Sequence, residues 1–245
     1  MNRIFTTSIF LSKIFIKERV FGLFILLSIL TIAISIGLSG IEDKTDRLFR
    51  DITLALQSFT LHLVALFSTL LYLEKERRGG VYIFPLSSGL SRDSYFLSLN
   101  LSRVIVLSIP TLFFFVVNWS YSIVSGRELS LNFHLLLLFT SSLLLSSLFL
   151  TIAQYVSPLK SLVYAITIFF IGNSLDEVYI YGYILKEDET MQIVYQVLSR
   201  VVPNFYIFDS NEIGFKNIAH ITIQFGIIYI LGVVKFRKRI LKVEN

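Results

Sequence analysis

The sequence predicts an all-α polytopic membrane protein, and three observations support this fold class. Hydrophobic residues make up 54% of the 245 residues and charged residues only 16%, whereas a typical soluble domain is about 25% charged. The mean hydropathy is +0.72. Long uncharged runs recur along the chain, at lengths close to the roughly 20 residues that a helix needs to cross the hydrocarbon core. This composition leaves no room for a large soluble domain in addition.

Six of these runs are predicted to be transmembrane helices. The first is uncharged for 22 residues, from Val20 to Ile41. The fifth is uncharged for only 15 residues, from Ser161 to Leu175, so it must include flanking residues or end within the bilayer. The predicted spans are 20–41, 52–73, 104–126, 132–156, 159–175 and 217–234.

Residues 1–19 are predicted to form an amphipathic helix in the cytoplasmic interface of the membrane. Lys13 and Lys17 are four residues apart and therefore share one helical face, with apolar residues mostly around the rest. A secretory signal peptide is the alternative, but the apolar run that follows is too long and has no small-residue cleavage site.

The distribution of charge predicts the orientation of the chain. If the N-terminus is inside and the six spans alternate, 15 of the 22 basic residues lie inside and 12 of the 17 acidic residues lie outside. An excess of Lys and Arg on cytoplasmic segments is what orients such proteins. Both termini and the polar stretch 74–100 are therefore expected in the cytoplasm. The net charge of +5 reflects this topology rather than nucleic-acid binding, because the basic residues flank hydrophobic runs.

The segment 176–205, between the last two predicted spans, is expected on the outer face. Its two apolar pieces, from Val178 and from Met191, are too short to cross the membrane. They are predicted to be short re-entrant or interfacial helices that form an external gate; a loop that merely packs on the spans is the alternative. The gate candidates are Tyr179, Tyr181, Tyr183, Pro203 and Phe205.

The stretch 74–100 is the longest polar-rich interruption in the first two-thirds of the chain. Gly79 and Gly80 permit a chain reversal after the second span. Ser91 is a good helix N-cap and Asp93 suits the positive end of a helix. The pattern therefore predicts a short helix that begins at Ser91 on the cytoplasmic surface.

The residues of this stretch follow an order that resembles the corresponding loop of the ABC-2 class of ABC transporter permeases. The matching residues are Glu76, Gly79 or Gly80, Val81 to Phe84, Leu86-Ser87, Leu90-Ser91-Arg92 and Tyr95. Gly89 stands where proline is usual, and Ser98-Leu99 where Gly-Lys is usual. The segment Leu198–Phe205 is also similar to a Pro-aromatic segment before the last span of many such permeases.

The resemblance implies the membrane-spanning permease subunit of an ATP-driven transporter, which works as a homodimer or is paired with a homologous permease. Two separate ATPase subunits would bind ATP and Mg, and the loop after the second span would couple to them. The residues implied in that contact are Glu76, Arg77, Arg78, Leu90, Ser91, Arg92, Asp93 and Tyr95. The sequence contains no Gly-x-x-x-x-Gly-Lys-[Ser/Thr] phosphate loop, so no cofactor is expected on this chain itself. An exporter in the cytoplasmic (inner) membrane is the expected function.

Two other functions stay open from the sequence. An intramembrane hydrolase of the CAAX-protease type would require at least two of Glu76, His62, His134 and His220 to lie within reach of each other. The histidines fall on three different spans, and their spacing supports neither a catalytic set nor a metal site. The other alternative is a membrane assembly factor without transport activity.

Overall fold

The computed structural model describes residues 2–17, 19–39, 46–81, 83–87, 89–125, 131–184, Ile193, 197–198, 202–203, Phe205 and 215–238. Every regular element in these ranges is an α-helix, which confirms the predicted all-α fold class. The helices are α1 (Asn2–Ile16), α2 (Arg19–Ser39), α3 (Asp46–Gly79), α4 (Ile83–Ser87), α5 (Arg92–Ser125), α6 (Leu131–Ile152), α7 (Pro158–Ile184) and α8 (Phe215–Lys238).

Within the described residues, four helical segments are long and apolar enough to cross a membrane. They are Asp51–Arg78 in α3, Arg92–Ser120 in α5, His134–Ile152 in α6 and Ala219–Lys238 in α8. These four helices indicate a membrane protein, and they coincide with the second, third, fourth and sixth predicted spans. Helices α2 and α7 coincide with the first and fifth, whose crossing of the bilayer stays a prediction.

Helix α6 lies at the centre of the bundle. In the most apolar stretch of α6, 67% is buried inside the protein, against 22% in the corresponding stretch of α8. Small side chains such as Ser142 and Ser146 are fully buried along α6, and small residues let helix backbones approach closely in membranes. A hydrogen bond of 2.8 Å joins the Ser146 and Thr69 hydroxyl groups and ties α6 to α3. The large apolar side chains on the outer faces, including Leu112 and Phe170, are exposed, as expected of lipid-facing surfaces.

Helix α1 packs its less polar face on α5. Leu11 and Phe15 are buried on that face. The Ser98 hydroxyl donates a hydrogen bond of 3.2 Å to the Ile4 carbonyl. The opposite face carries Lys13 and Lys17, both exposed. Phe5 and Phe10 of α1 are exposed as well, at 60% and 43%. Helix α1 therefore presents both apolar and basic side chains outward, and its place in the membrane interface stays a prediction.

Helix α5 differs from the prediction in its length. The sequence predicts a short surface helix at Ser91, whereas the structure has one continuous helix of 34 residues, from Arg92 to Ser125. No glycine or proline occurs between Arg92 and Pro110 to end it. The polar side chains of Ser98 and Asn100 donate to carbonyl groups one turn back, so they do not interrupt the helix.

Helix α7 also extends beyond its predicted end. Pro158 occupies the start of the helix, where its missing N–H is not needed. The sequence predicts a separate short element from Val178, whereas the structure continues α7 through Asp176 and Glu177 to Ile184. Tyr179, Tyr181 and Tyr183 accordingly lie on the last turns of α7, and most of the second predicted outer helix, from Met191, falls outside the described residues.

Candidate functional site

The polar connection between α3 and α5 begins with a left-handed turn. Gly80 has a φ of 57°, and its N–H donates to the Glu76 carbonyl at 3.2 Å. A single bond of this kind from a left-handed residue is a recurrent way to end a helix. The predicted chain reversal after the second span is therefore present, and Gly80 makes it.

The second turn of the connection follows α4 and depends on Gly89. The Leu90 N–H donates to the Pro85 carbonyl at 3.3 Å, and the Gly89 N–H donates to the Leu86 carbonyl at 3.1 Å. This pair of bonds is the Schellman arrangement, which needs a left-handed residue at its centre. Gly89 has a φ of 84°, whereas proline is fixed near −65°. A glycine is thus required at the centre of this turn.

Ser91 caps α5, as the sequence predicts. Its hydroxyl oxygen accepts the Ser94 N–H at 3.2 Å, and its own O–H is directed to the Ser94 hydroxyl at 2.8 Å. Capping by a serine satisfies one of the N–H groups left open at a helix start. The described residues between Gly80 and Ser91 therefore form two glycine turns, a short helix and a capped helix start.

The first turn of α5 is bound to the last turn of α8. Arg237 donates from Nε to Oδ1 of Asp93 at 2.6 Å and from a second nitrogen to Oδ2. Arg92 donates from Nη1 to the Arg237 carbonyl at 2.5 Å. That carbonyl is among the last four of α8, which have no partner inside the helix. We call these three residues the clasp. Sequence reasoning did not identify Arg237, because 144 residues separate it from Asp93.

A buried polar cluster lies directly beneath the connection, formed by Tyr72, Glu76, Tyr95 and Arg103. All four side chains are buried. The guanidinium of Arg103 donates to the Ser68 carbonyl at 2.8 Å and lies 4.9 Å from the centre of the Tyr72 ring. The Tyr72 and Tyr95 hydroxyl groups are hydrogen-bonded to each other. Glu76 follows Tyr72 by four residues and lies on the same face of α3.

This burial changes the roles of the residues predicted to meet a partner. Glu76 is 1% exposed, Tyr95 0% and Leu90 9%, so they support the connection from inside. The other predicted contacts lie nearer the surface: Arg77, Arg78, Ser91 and Arg92 are exposed, and Asp93 is half-buried. Arg77 donates to the Val156 carbonyl at 3.2 Å. Tyr72 and Arg103 were not identified from the sequence, although an arginine beside a predicted span is itself a signal.

The outer gate candidates divide between α7 and the segment that precedes α8. Phe205 is buried and meets the ring of Phe169 edge-on, with 4.9 Å between the centroids. A Cβ atom at Gly172 would lie 2.2 Å from the Pro203 carbonyl oxygen. The absence of a side chain at Gly172 therefore lets Pro203 and Phe205 pack on α7. The side chains of the three predicted tyrosines lie outside the described part of the structure.

His62 and His220 each bond to groups other than a histidine or Glu76. His62 contacts the Ser141 hydroxyl at 3.0 Å through Nε2 and the Ser58 carbonyl at 2.7 Å through Nδ1. His220 pairs with Gln224 at 2.7 Å. Glu76 lies 14 residues beyond His62 on α3, or about 21 Å along the helix.

The His62–Ser141 pair has the spacing of a base and a nucleophile, but its surroundings favour a structural role. Both side chains are buried, and the Phe169 ring lies 4.6 Å from the His62 ring. The pair joins α3 to α6 by an interhelical hydrogen bond. Among the residues described, no group of three or more His, Cys, Asp or Glu side chains could hold a metal ion.

Two further polar side chains pair inside the bundle. Gln57 donates from Nε2 to Oδ1 of Asn118 at 2.9 Å, and Asn118 returns a longer bond of 3.4 Å. Both side chains are buried, and together they link α3 to α5. These two amides therefore satisfy each other across the helix interface.

Comparison of the chain with protein-family models gives no match, and comparison with curated proteins gives none either.

Proposed function

We propose that this chain is the membrane subunit of an ABC-2-type, ATP-driven transporter, and that the connection between α3 and α5 docks on a separate ATPase. The observation that carries the proposal is the folded connection itself. Its residues follow the ABC-2 order, and its two left-handed glycines and the Ser91 cap give it a defined shape. A flexible loop would absorb a displacement, whereas a folded unit transmits it.

The buried cluster beneath the connection supports a mechanical role. Arg103 is bonded to the Ser68 carbonyl of α3 from its place on α5, and Tyr72 and Tyr95 join the same two helices. Buried ionisable groups are costly in a membrane protein and are functional candidates for that reason. A displacement of the connection would therefore reach α3 and α5 together.

The proposal includes the orientation predicted from the distribution of charge. Six spans, with α2 and α7 as the first and fifth, place both termini and the connection on the cytoplasmic side of the inner membrane. Two copies, or one copy and a homologue, would enclose the transport path, and ATP and Mg would bind only to the ATPase. Export is the proposed direction. At the outer end, the Pro203–Phe205 segment seated on Gly172 is the proposed closure.

The test is co-purification with the ABC ATPase encoded nearest to this chain, expressed together with it and recovered through a tag on the membrane subunit. Arg78 is a clearer test than Arg92, because the Arg92 side chain already bonds to the Arg237 carbonyl within the protein. Arg78→Glu should reduce the recovered ATPase while membrane insertion is unchanged. Lys160→Glu, an equal change of charge at an exposed residue, should leave recovery unchanged. Wild-type chain that recovers no ATPase would refute the proposal.

A further inference from the structure

We propose that the docking surface is composite, and that the cytoplasmic end of α8 belongs to it together with the Gly89–Arg92 turn and the start of α1. The partner surface that fits it is an acidic patch on a protein. This inference rests on the proposed function, since it takes the ATPase to be that protein.

Three arginines from three helices meet around the turn. A Cβ atom at Gly89 would lie 3.7 Å from Nη1 of Arg3, so the end of the Arg3 side chain lies beside that glycine. Arg92, the first residue of α5, donates to the Arg237 carbonyl. Arg237 in turn pairs with Asp93. Among the residues named here, three guanidinium groups meet one carboxylate, so arginine predominates at the turn.

The position of α8 in the cluster is set by packing as well as by charge. Phe236 is buried against Tyr95 and Phe96, with ring centroids 5.8 and 5.7 Å away. A Cβ atom at Gly232 would lie 2.4 Å from the Phe96 ring, so the two helices are as close as a glycine permits. The end of α8 is thus held beside the turn, and Lys238, the last residue of α8, is exposed there.

The clasp orders the charged side chains on this surface. Arg237 is held by two hydrogen bonds to one carboxylate, a geometry that fixes the plane of the guanidinium. Arg92 occupies the carbonyl end of α8, where the helix dipole favours a cation. Asp93 is therefore a positioning residue, since it acts on the partner only through Arg237.

The chemistry of the turn favours a protein over a lipid surface. Helices that bind membranes combine basic residues with exposed large apolar side chains on the same surface. Ser87, Gly89 and Ser91 are exposed in this turn, and all three are small or polar. On α1, Phe5 is exposed, but it is two residues from Arg3 and so lies on a different face of that helix. Complementary charge also directs encounter and partner choice between proteins.

The experiment measures binding of the purified ATPase to the tagged membrane subunit in detergent, at low and high salt. Lys238→Glu is expected to weaken binding about tenfold at low salt and to reduce its salt dependence. Asp93→Arg and Arg237→Asp should each weaken binding, and the two together should restore it, because the exchanged pair rebuilds the clasp. Lys160→Glu is the matched control. The elution profile of each variant in size-exclusion chromatography reports whether it is folded.

The outcomes separate the two proposals. If Arg78→Glu weakens ATPase binding but Lys238→Glu and both single clasp variants bind as the wild type does, the composite surface is refuted and the proposed function stands. If the wild type binds no ATPase, both are refuted. If Lys238→Glu instead lowers only the amount of anionic phospholipid retained, as counted by native mass spectrometry, the surface binds lipid and the protein partner is refuted.

Discussion

The close packing of Pro203 and Phe205 on Gly172 of α7 gives the sharpest prediction about packing. The test is the substitution Gly172→Ala. An alanine Cβ would lie 2.2 Å from the Pro203 carbonyl oxygen and 2.8 Å from a ring carbon of Phe205. Because the closer atom belongs to the backbone, the segment must move rather than one side chain. Gly226→Ala in α8 is the matched control, since a Cβ atom there meets nothing within 4 Å.

The magnitude follows from two opposed effects. Overfilling a packed site costs about 1–3 kcal/mol, and the contact with a backbone atom places Gly172→Ala near the upper end. Within a helix, alanine in place of glycine stabilises the folded state by about 1 kcal/mol. The net loss of stability is therefore about 2 kcal/mol at Gly172, whereas Gly226→Ala should be neutral or stabilising by up to about 1 kcal/mol.

Two measurements check this prediction. Thermal unfolding in detergent should show a fall in Tm of about 4–8 °C for Gly172→Ala, at about 2–4 °C per kcal/mol for a chain of this size, and no fall for Gly226→Ala. The chain has no cysteine, so Val202→Cys provides a single thiol beside the seat. Its labelling rate should rise by up to about thirtyfold in the Gly172→Ala background, at tenfold per 1.4 kcal/mol. Unchanged Tm and labelling would refute the packing argument.

The remaining predictions concern the connection and the buried polar pairs. Gly89→Pro should destabilise the protein by about 3 kcal/mol or more, because proline can neither adopt a φ of 84° nor donate a hydrogen bond to Leu86. Gly89→Ala should destabilise it by about 1–2 kcal/mol. Equal Tm values for the two variants would contradict the Schellman turn. Arg103→Met should destabilise the protein by about 3–5 kcal/mol, because it leaves a buried network without its cation, and Arg103→Lys should restore only part of the lost Tm. In a double-mutant cycle, Gln57→Leu and Asn118→Leu should show a coupling energy of about 0.6–1.7 kcal/mol, and strictly additive effects would rule out the paired amides.

Local features of the fold could be predicted from the sequence where one segment determines them. Apolar length identified the helices later found at α3, α5, α6 and α8. The Ser91 cap depends on a serine hydroxyl and an N–H three residues away, so the pattern alone was sufficient. The prediction was wrong in separating the short helix at Ser91 from the third span and in ending the fifth span before Asp176. Polarity was taken as the end of a helix where only glycine, proline or lost packing would impose one.

Features that depend on distant contacts could not be predicted. The role of Asp93 in a partner contact stays a prediction, and nothing in the sequence indicated that Arg237 of another helix holds its carboxylate. Glu76 and Tyr95 are among the residues that the resemblance implies in the ATPase contact; the fold buries both, and Tyr95 is hydrogen-bonded to Tyr72 of another helix. Burial of a charged residue depends on which helices cover it, and one-dimensional spacing does not contain that information.

The most direct test of the proposed function is the ATPase activity of the co-purified complex compared with that of the ATPase alone. The proposed coupling predicts that the membrane subunit binds the ATPase and changes its rate of ATP hydrolysis. Arg78→Glu should reduce both effects, and Lys160→Glu should change neither. A membrane subunit that inserts and folds normally but neither binds the ATPase nor alters its rate would contradict the proposed function.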